Sequence, residues 1–208
     1  MRILGIDPGS RLLGFGCIDW VGSSIVHVAH GTLKLANTSG KAVIPLEERL
    51  FSIYEGLTSV ILEYQPHVLS IEKVFFAKNP VSALKLGQAR GAAILTCRIH
   101  NLSVAEYSAS EVKQSVVGHG GADKEQVAKM VGLLTGQHQF ATADASDALA
   151  IAICHAHSSR AVAGKLPALQ KAMNEASGRR SKKGYSLADA LGITPESVAG
   201  KKRIRLER

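Results

Sequence analysis

A chain of 208 residues, 46% hydrophobic and 20% charged, can bury an ordinary domain core, which excludes a disordered polymer. Its three cysteines, Cys17, Cys97 and Cys154, are odd in number and set in apolar runs, which excludes a disulfide scaffold, and no apolar run approaches the roughly 18 residues of a membrane span. The net charge of +8 is unevenly placed: residues 1–159 hold 13 Lys+Arg against 13 Asp+Glu, whereas 160–208 hold 12 against 4, a balance that suits either a polyphosphate contact or a solvated tail.

In chain order, Arg2 to Asp7, Leu12 to Asp19 and Ile25 to Leu35 are short apolar runs separated by Pro8-Gly9-Ser10 and Val21-Gly22-Ser23, the pattern of three antiparallel strands. Asp7 falls where the apolar core of a secretory leader would continue, so reduced thiols and a cytoplasmic location are expected. After Pro45, the apolar residues Leu46, Leu50, Ile53, Leu57, Val60 and Ile61 recur at helical spacing until Pro66, and His67 to Glu72 then reads as a fourth strand. Pro80 suits the first turn of a helix reaching about Ile99, Leu102 to Glu106 reads as a fifth strand, and helices are predicted over 108–117, 123–134 and 143–157. Meander strands followed by alternating helices and strands give an α/β domain, a mixed five-stranded sheet flanked by helices over residues 1–158. Residues 159–208 form a basic C-terminal tail, expected flexible, with short helical segments around Leu187 to Leu191 and Thr194 to Ser197.

Four acids stand out. Asp7 and Glu72 each end an apolar strand, where a carboxylate alone is an ordinary turn former. The stretch Ala143-Asp144-Ala145-Ser146-Asp147-Ala148-Leu149-Ala150 carries its only charges at i and i+3, on one helix face. Helix capping or the helix dipole accounts for Asp144, but Asp147 sits deeper in a segment too apolar for a solvated surface and needs a positive partner. Four carboxylates without Cys or His at zinc spacing suit Mg²⁺ or Mn²⁺ rather than Zn²⁺, and two such ions about 4 Å apart can drive an in-line phosphodiester displacement.

Four motifs occur in order: Gly5-Ile6-Asp7-Pro8-Gly9-Ser10 with Gly14-Phe15-Gly16; Ile71-Glu72-Lys73-Val74-Phe75-Phe76-Ala77-Lys78-Asn79; Ser82 to Gly91; and Asp144 to Ala150. Together they resemble the RuvC family of bacterial Holliday-junction resolvases over about residues 1–158. The resemblance implies a ribonuclease-H-like fold and a homodimer that nicks four-way junction DNA in pairs with Mg²⁺, alongside the RuvA–RuvB branch-migration machinery. It places Asp7, Glu72, Asp144 and Asp147 on the family's catalytic, metal-binding carboxylates, and Phe75, Lys113 and Lys124 on its DNA-contacting positions. An exposed Phe75 could stack on bases near the crossover, and Lys113 and Lys124 could bind phosphate. His119 and Gly121 depart from the family pattern in the loop before Lys124, and the tail is longer than in familiar members. A non-catalytic junction binder is disfavoured by the intact carboxylates. A sugar-kinase or actin-like ATPase is disfavoured by the lack of a second phosphate loop. Against an RNA-directed nuclease of the same fold only the resemblance decides, because carboxylate chemistry is indifferent to the sugar.

Overall fold

The computed structural model describes residues 1–36, 44–73 and 79–160. β1 (Arg2–Asp7), β2 (Leu12–Val21) and β3 (Ser24–Lys34) form the antiparallel meander, with Gly22 at φ 61° in the left-handed region that the tight turn requires. The turn is tighter than expected, and β2 therefore runs on to Val21. α1 (Leu46–Tyr64) returns the chain to β4 (Val68–Glu72), and α2 (Pro80–Ile99) to β5 (Ser103–Tyr107). α3 (Ala109–Val117) and α4 (Lys124–Thr135) follow, and residues 143–160 are helical and are called α5 here.

The sheet order is β3-β2-β1-β4-β5, with β4 parallel to β1 and β5 parallel to β4. Alternation along the strands sends side chains to two cores. Leu4, Ile6, Leu13, Leu69 and Ile71 pack with Ile53 and Leu57 of α1 and Ala93 and Cys97 of α2. Ile3, Ile18 and Val68 face the other way, toward Val112, Val116, Val127, Val131 and the apolar side of α5. A sheet covered on both faces can be apolar throughout, which is why β1 and β4 read as nearly continuous hydrophobic runs. All three cysteines are buried free thiols. Among the described residues no helix is long and apolar enough to cross a membrane. From residue 161 onward the predicted tail lies outside the described residues, as does Phe75.

Candidate active site

Asp7 is the last residue of β1 and Glu72 the last of β4. Because these strands are parallel and Ile6 lies opposite Ile71, both carboxylates leave neighbouring strands at the same edge of the sheet. α5 brings Asp144 and Asp147 over that edge from its first turns. Its start is fixed by Thr142, whose hydroxyl accepts the Ala145 N–H at 3.3 Å and lies 2.5 Å from the Thr32 hydroxyl of β3.

The closeness of α5 to the sheet depends on glycines. A Cβ on Gly5 would stand 2.7 Å from the Ala152 nitrogen, and one on Gly16 2.7 Å from the Leu149 nitrogen, both inside contact distance. The helix backbone thus rests directly on β1 and β2. The fully buried Ser70 of β4 donates to the Ile151 carbonyl at 2.8 Å and pins the helix lengthwise.

Asp7, Glu72 and Asp147 wall one cavity of about 280 Å³, together with Lys113 of α3 and Lys124 of α4. Burial first, then the charges of Asp147, Glu72 and Asp144, pushes the Asp7 carboxyl up from 3.8 to about 7. Burial and the Asp147 charge also raise Glu72, with Lys124 and Lys113 acting in the opposite sense. Asp144 lies outside the cavity wall, but its charge is felt by both Asp7 and Lys124. The Lys124 ammonium donates to Asp147 Oδ2 at 3.0 Å, a bond that raises its own pKa. The first turn carrying Lys124 is held by a reciprocal cap between Asp123 and Gln126.

The structure therefore gathers Asp7, Glu72, Asp147, Lys113 and Lys124 around one space and sets Asp144 beside it. Among the described residues no three metal-ligating side chains converge on a single point. The donor chemistry nonetheless suits a hard divalent cation: every acid offers oxygen, Asp7, Glu72 and Asp147 share one cavity with Asp144 beside it, and their mutual repulsion calls for positive charge between them. Arg90 is a residue whose role the sequence reading missed. Its Nε donates to the Glu72 carbonyl at 3.0 Å, and its terminal nitrogen pairs with Glu106 at 2.8 Å, bracing the end of β4. A cation inside the small-residue stretch Gly87-Gln88-Ala89-Arg90-Gly91-Ala92-Ala93 was the available signal.

The family model for the crossover junction endodeoxyribonuclease RuvC matches residues 3–155, a span that contains all four acids and both lysines. The chain belongs to the RuvC family. A RuvC of Geobacter metallireducens is 53% identical over 158 residues, covering 76% of this chain and 93% of that protein. A RuvC of Pseudomonas aeruginosa is 52% identical over 160 residues, covering 77% and 88%. Among solved structures, T. thermophilus RuvC in complex with Holliday junction substrate matches with TM-score 0.70 and 33% identity over 77% of this chain and 95% of that one. The yeast mitochondrial Holliday junction resolvase Ydc2, at 14% identity and TM-score 0.54, shares the fold. The expected ribonuclease-H-like architecture, a mixed five-stranded sheet with helices, is thereby borne out.

Proposed function

We propose that this protein is a structure-specific endodeoxyribonuclease that resolves four-way DNA junctions in recombination and repair by nicking two strands. The observation that carries the reading is the single cavity walled by three carboxylates and two lysine ammoniums at the edge of a RuvC-type sheet. Asp7 with Asp144 or Asp147 would hold one divalent ion, and Asp7 with Glu72 a second. Bound Mg²⁺ or Mn²⁺ would supply a polarised water and a counter-charge for the departing 3′ oxygen. Lys113 and Lys124 neutralise phosphate charge at the cavity mouth, and Arg90 keeps the Glu72 backbone in place. Water attacks phosphorus in line, the P–O3′ bond breaks, and the products carry a 5′-phosphate and a 3′-hydroxyl. Phe75, three residues beyond Glu72, is assigned to the bases at the crossover.

One site cuts one strand, so paired cuts require two copies about a twofold axis. The exposed apolar side chains Phe51 and Tyr54 of α1 and Leu84 and Leu95 of α2 offer the surface for that homodimer. The RuvA–RuvB branch-migration machinery is the partner assigned with it, and the cytoplasm the compartment.

Incubation with a synthetic mobile four-way junction and a matching linear duplex, each with and without Mg²⁺, tests the reading. Symmetric, ligatable nicks in the junction alone, and only with Mg²⁺, are expected. Equal cutting of duplex, or cutting in a chelator, refutes it.

A further inference from the structure

Lys124 presents an unusual pairing of exposure and engagement. Its side chain is 80% exposed, yet the ammonium is bonded at 3.0 Å to Asp147, which is only 24% exposed and lines the carboxylate cavity. Lys124 is the first residue of α4 and follows a glycine-containing turn, and no other ion pair holds its ammonium among the described residues. An ion pair with one partner so open to water is weak, because solvent screens the attraction and the long side chain loses freedom in making it, so it is readily exchanged. Lys113 lines the same cavity but makes no ion pair among the described residues. The two lysines thus play different parts: Lys113 acts on the acids only through space, whereas Lys124 occupies a carboxylate oxygen.

We propose that Lys124 is a built-in, displaceable counter-ion of the carboxylate cluster: in the metal-free protein its ammonium takes the place of a divalent cation at Asp147, and cation binding releases it. This rests on the metal reading above. The exchange makes two events one, since the ammonium freed from Asp147 becomes available to a phosphate oxygen of the strand to be cut. Lys124 accordingly competes with the cation before it assists the substrate.

The test uses full-length protein without DNA and measures Mn²⁺ binding by the electron paramagnetic resonance of the free ion. Lys124→Gln removes both the competing bond and one nearby positive charge, so its Mn²⁺ affinity is expected to rise at least about fivefold. Lys113→Gln removes charge alone and should raise it less. As a second measure, lysines carrying ¹³C-methyl labels are observed by NMR as diamagnetic Mg²⁺ is added, the Lys124 signal being assigned by its loss in Lys124→Gln. That signal is expected to move as the cation saturates. Unchanged Mn²⁺ affinity in Lys124→Gln, a tightening no greater than that of Lys113→Gln, or a stationary Lys124 signal overturns the proposal. Failure of the metal reading looks different: wild type then binds no Mn²⁺, or binds it equally well as Asp7→Asn, and the proposal falls with it.

Discussion

Asp7 is both buried and crowded by the other acids, and its energetics can be separated from its chemistry. The unfolded chain releases the Asp7 proton near 3.8, whereas the folded, metal-free protein holds it up to about 7. Between those values the folded state binds more protons, so the contribution of Asp7 to stability is present at low pH and is lost as pH rises through about 7. An asparagine there does not titrate. In chelator, Asp7→Asn is therefore expected to melt several degrees above wild type at pH 8, with the gap closing toward pH 4, while cleavage of a junction in Mg²⁺ falls by orders of magnitude. Thermal unfolding at the two pH values and a gel assay measure both. A variant that melts no higher at pH 8 would mean that Asp7 is not held against its own charge; one that still cuts would remove Asp7 from the catalytic set.

At the scale of elements, the decisive contact is backbone against backbone. Gly5→Ala would drive a methyl into the Ala148–Ala152 stretch of α5, where the nearest atoms belong to the main chain and cannot rotate aside. A loss of about 3 kcal/mol or more is expected in urea unfolding, at the upper end of overpacking costs, together with loss of cleavage because Asp144 and Asp147 travel with the helix. A neutral Gly5→Ala would show that α5 does not rest on β1. A second element carries its own titration. The register shift opposite Cys17 and Ile18 puts His27 and His30, three apart, on one face of β3, with ring nitrogens 2.8 Å apart. Burial and the neighbouring His30 lower His27 from 6.5, so the unfolded chain takes up a proton before the folded one and stability declines as pH falls below about 6.5. His27→Gln should flatten that decline between pH 7 and 5 in thermal melts; an unchanged pH profile would assign it to other groups, such as His155, whose pKa burial also lowers.

These elements also explain what could be read in the chain and what could not. Strand ends at Asp7 and Glu72 were legible because Pro8-Gly9 follows the first and the apolar run stops at the second; the shared face of Asp144 and Asp147 followed from helical spacing. The Lys124–Asp147 bond and the grip of Arg90 on Glu72 join residues 23 and 18 positions apart, and no local periodicity encodes such pairs. The helical residues beyond 157 were missed because the apolar pattern fades there while the backbone bonding continues.

For the molecule as a whole, charge is the remaining guide, since residues 1–159 are formally neutral and 160–208 hold 12 Lys+Arg against 4 Asp+Glu. Truncation after Ser159 is expected to weaken DNA binding and to reduce the slope of log K against log salt by about 0.9 for every phosphate that the tail had neutralised. Cleavage at saturating enzyme and low salt should persist, because all four acids precede the cut, and preference for the junction over linear duplex should hold or rise. Identical salt slopes for the full and truncated chains, measured by fluorescence anisotropy, would leave the tail without a role on DNA.

The parallel pairing of β1 with β4, capped by α5, has a consequence during synthesis. The acids come from positions 7, 72, 144 and 147, so a nascent chain still holding α5 inside the ribosome possesses two strand-end carboxylates and no assembled centre. If these acids do the chemistry proposed for them, hydrolytic competence waits until α5 lies down on the sheet. On the proposed reading, a product terminated before that helix is expected not to cut DNA.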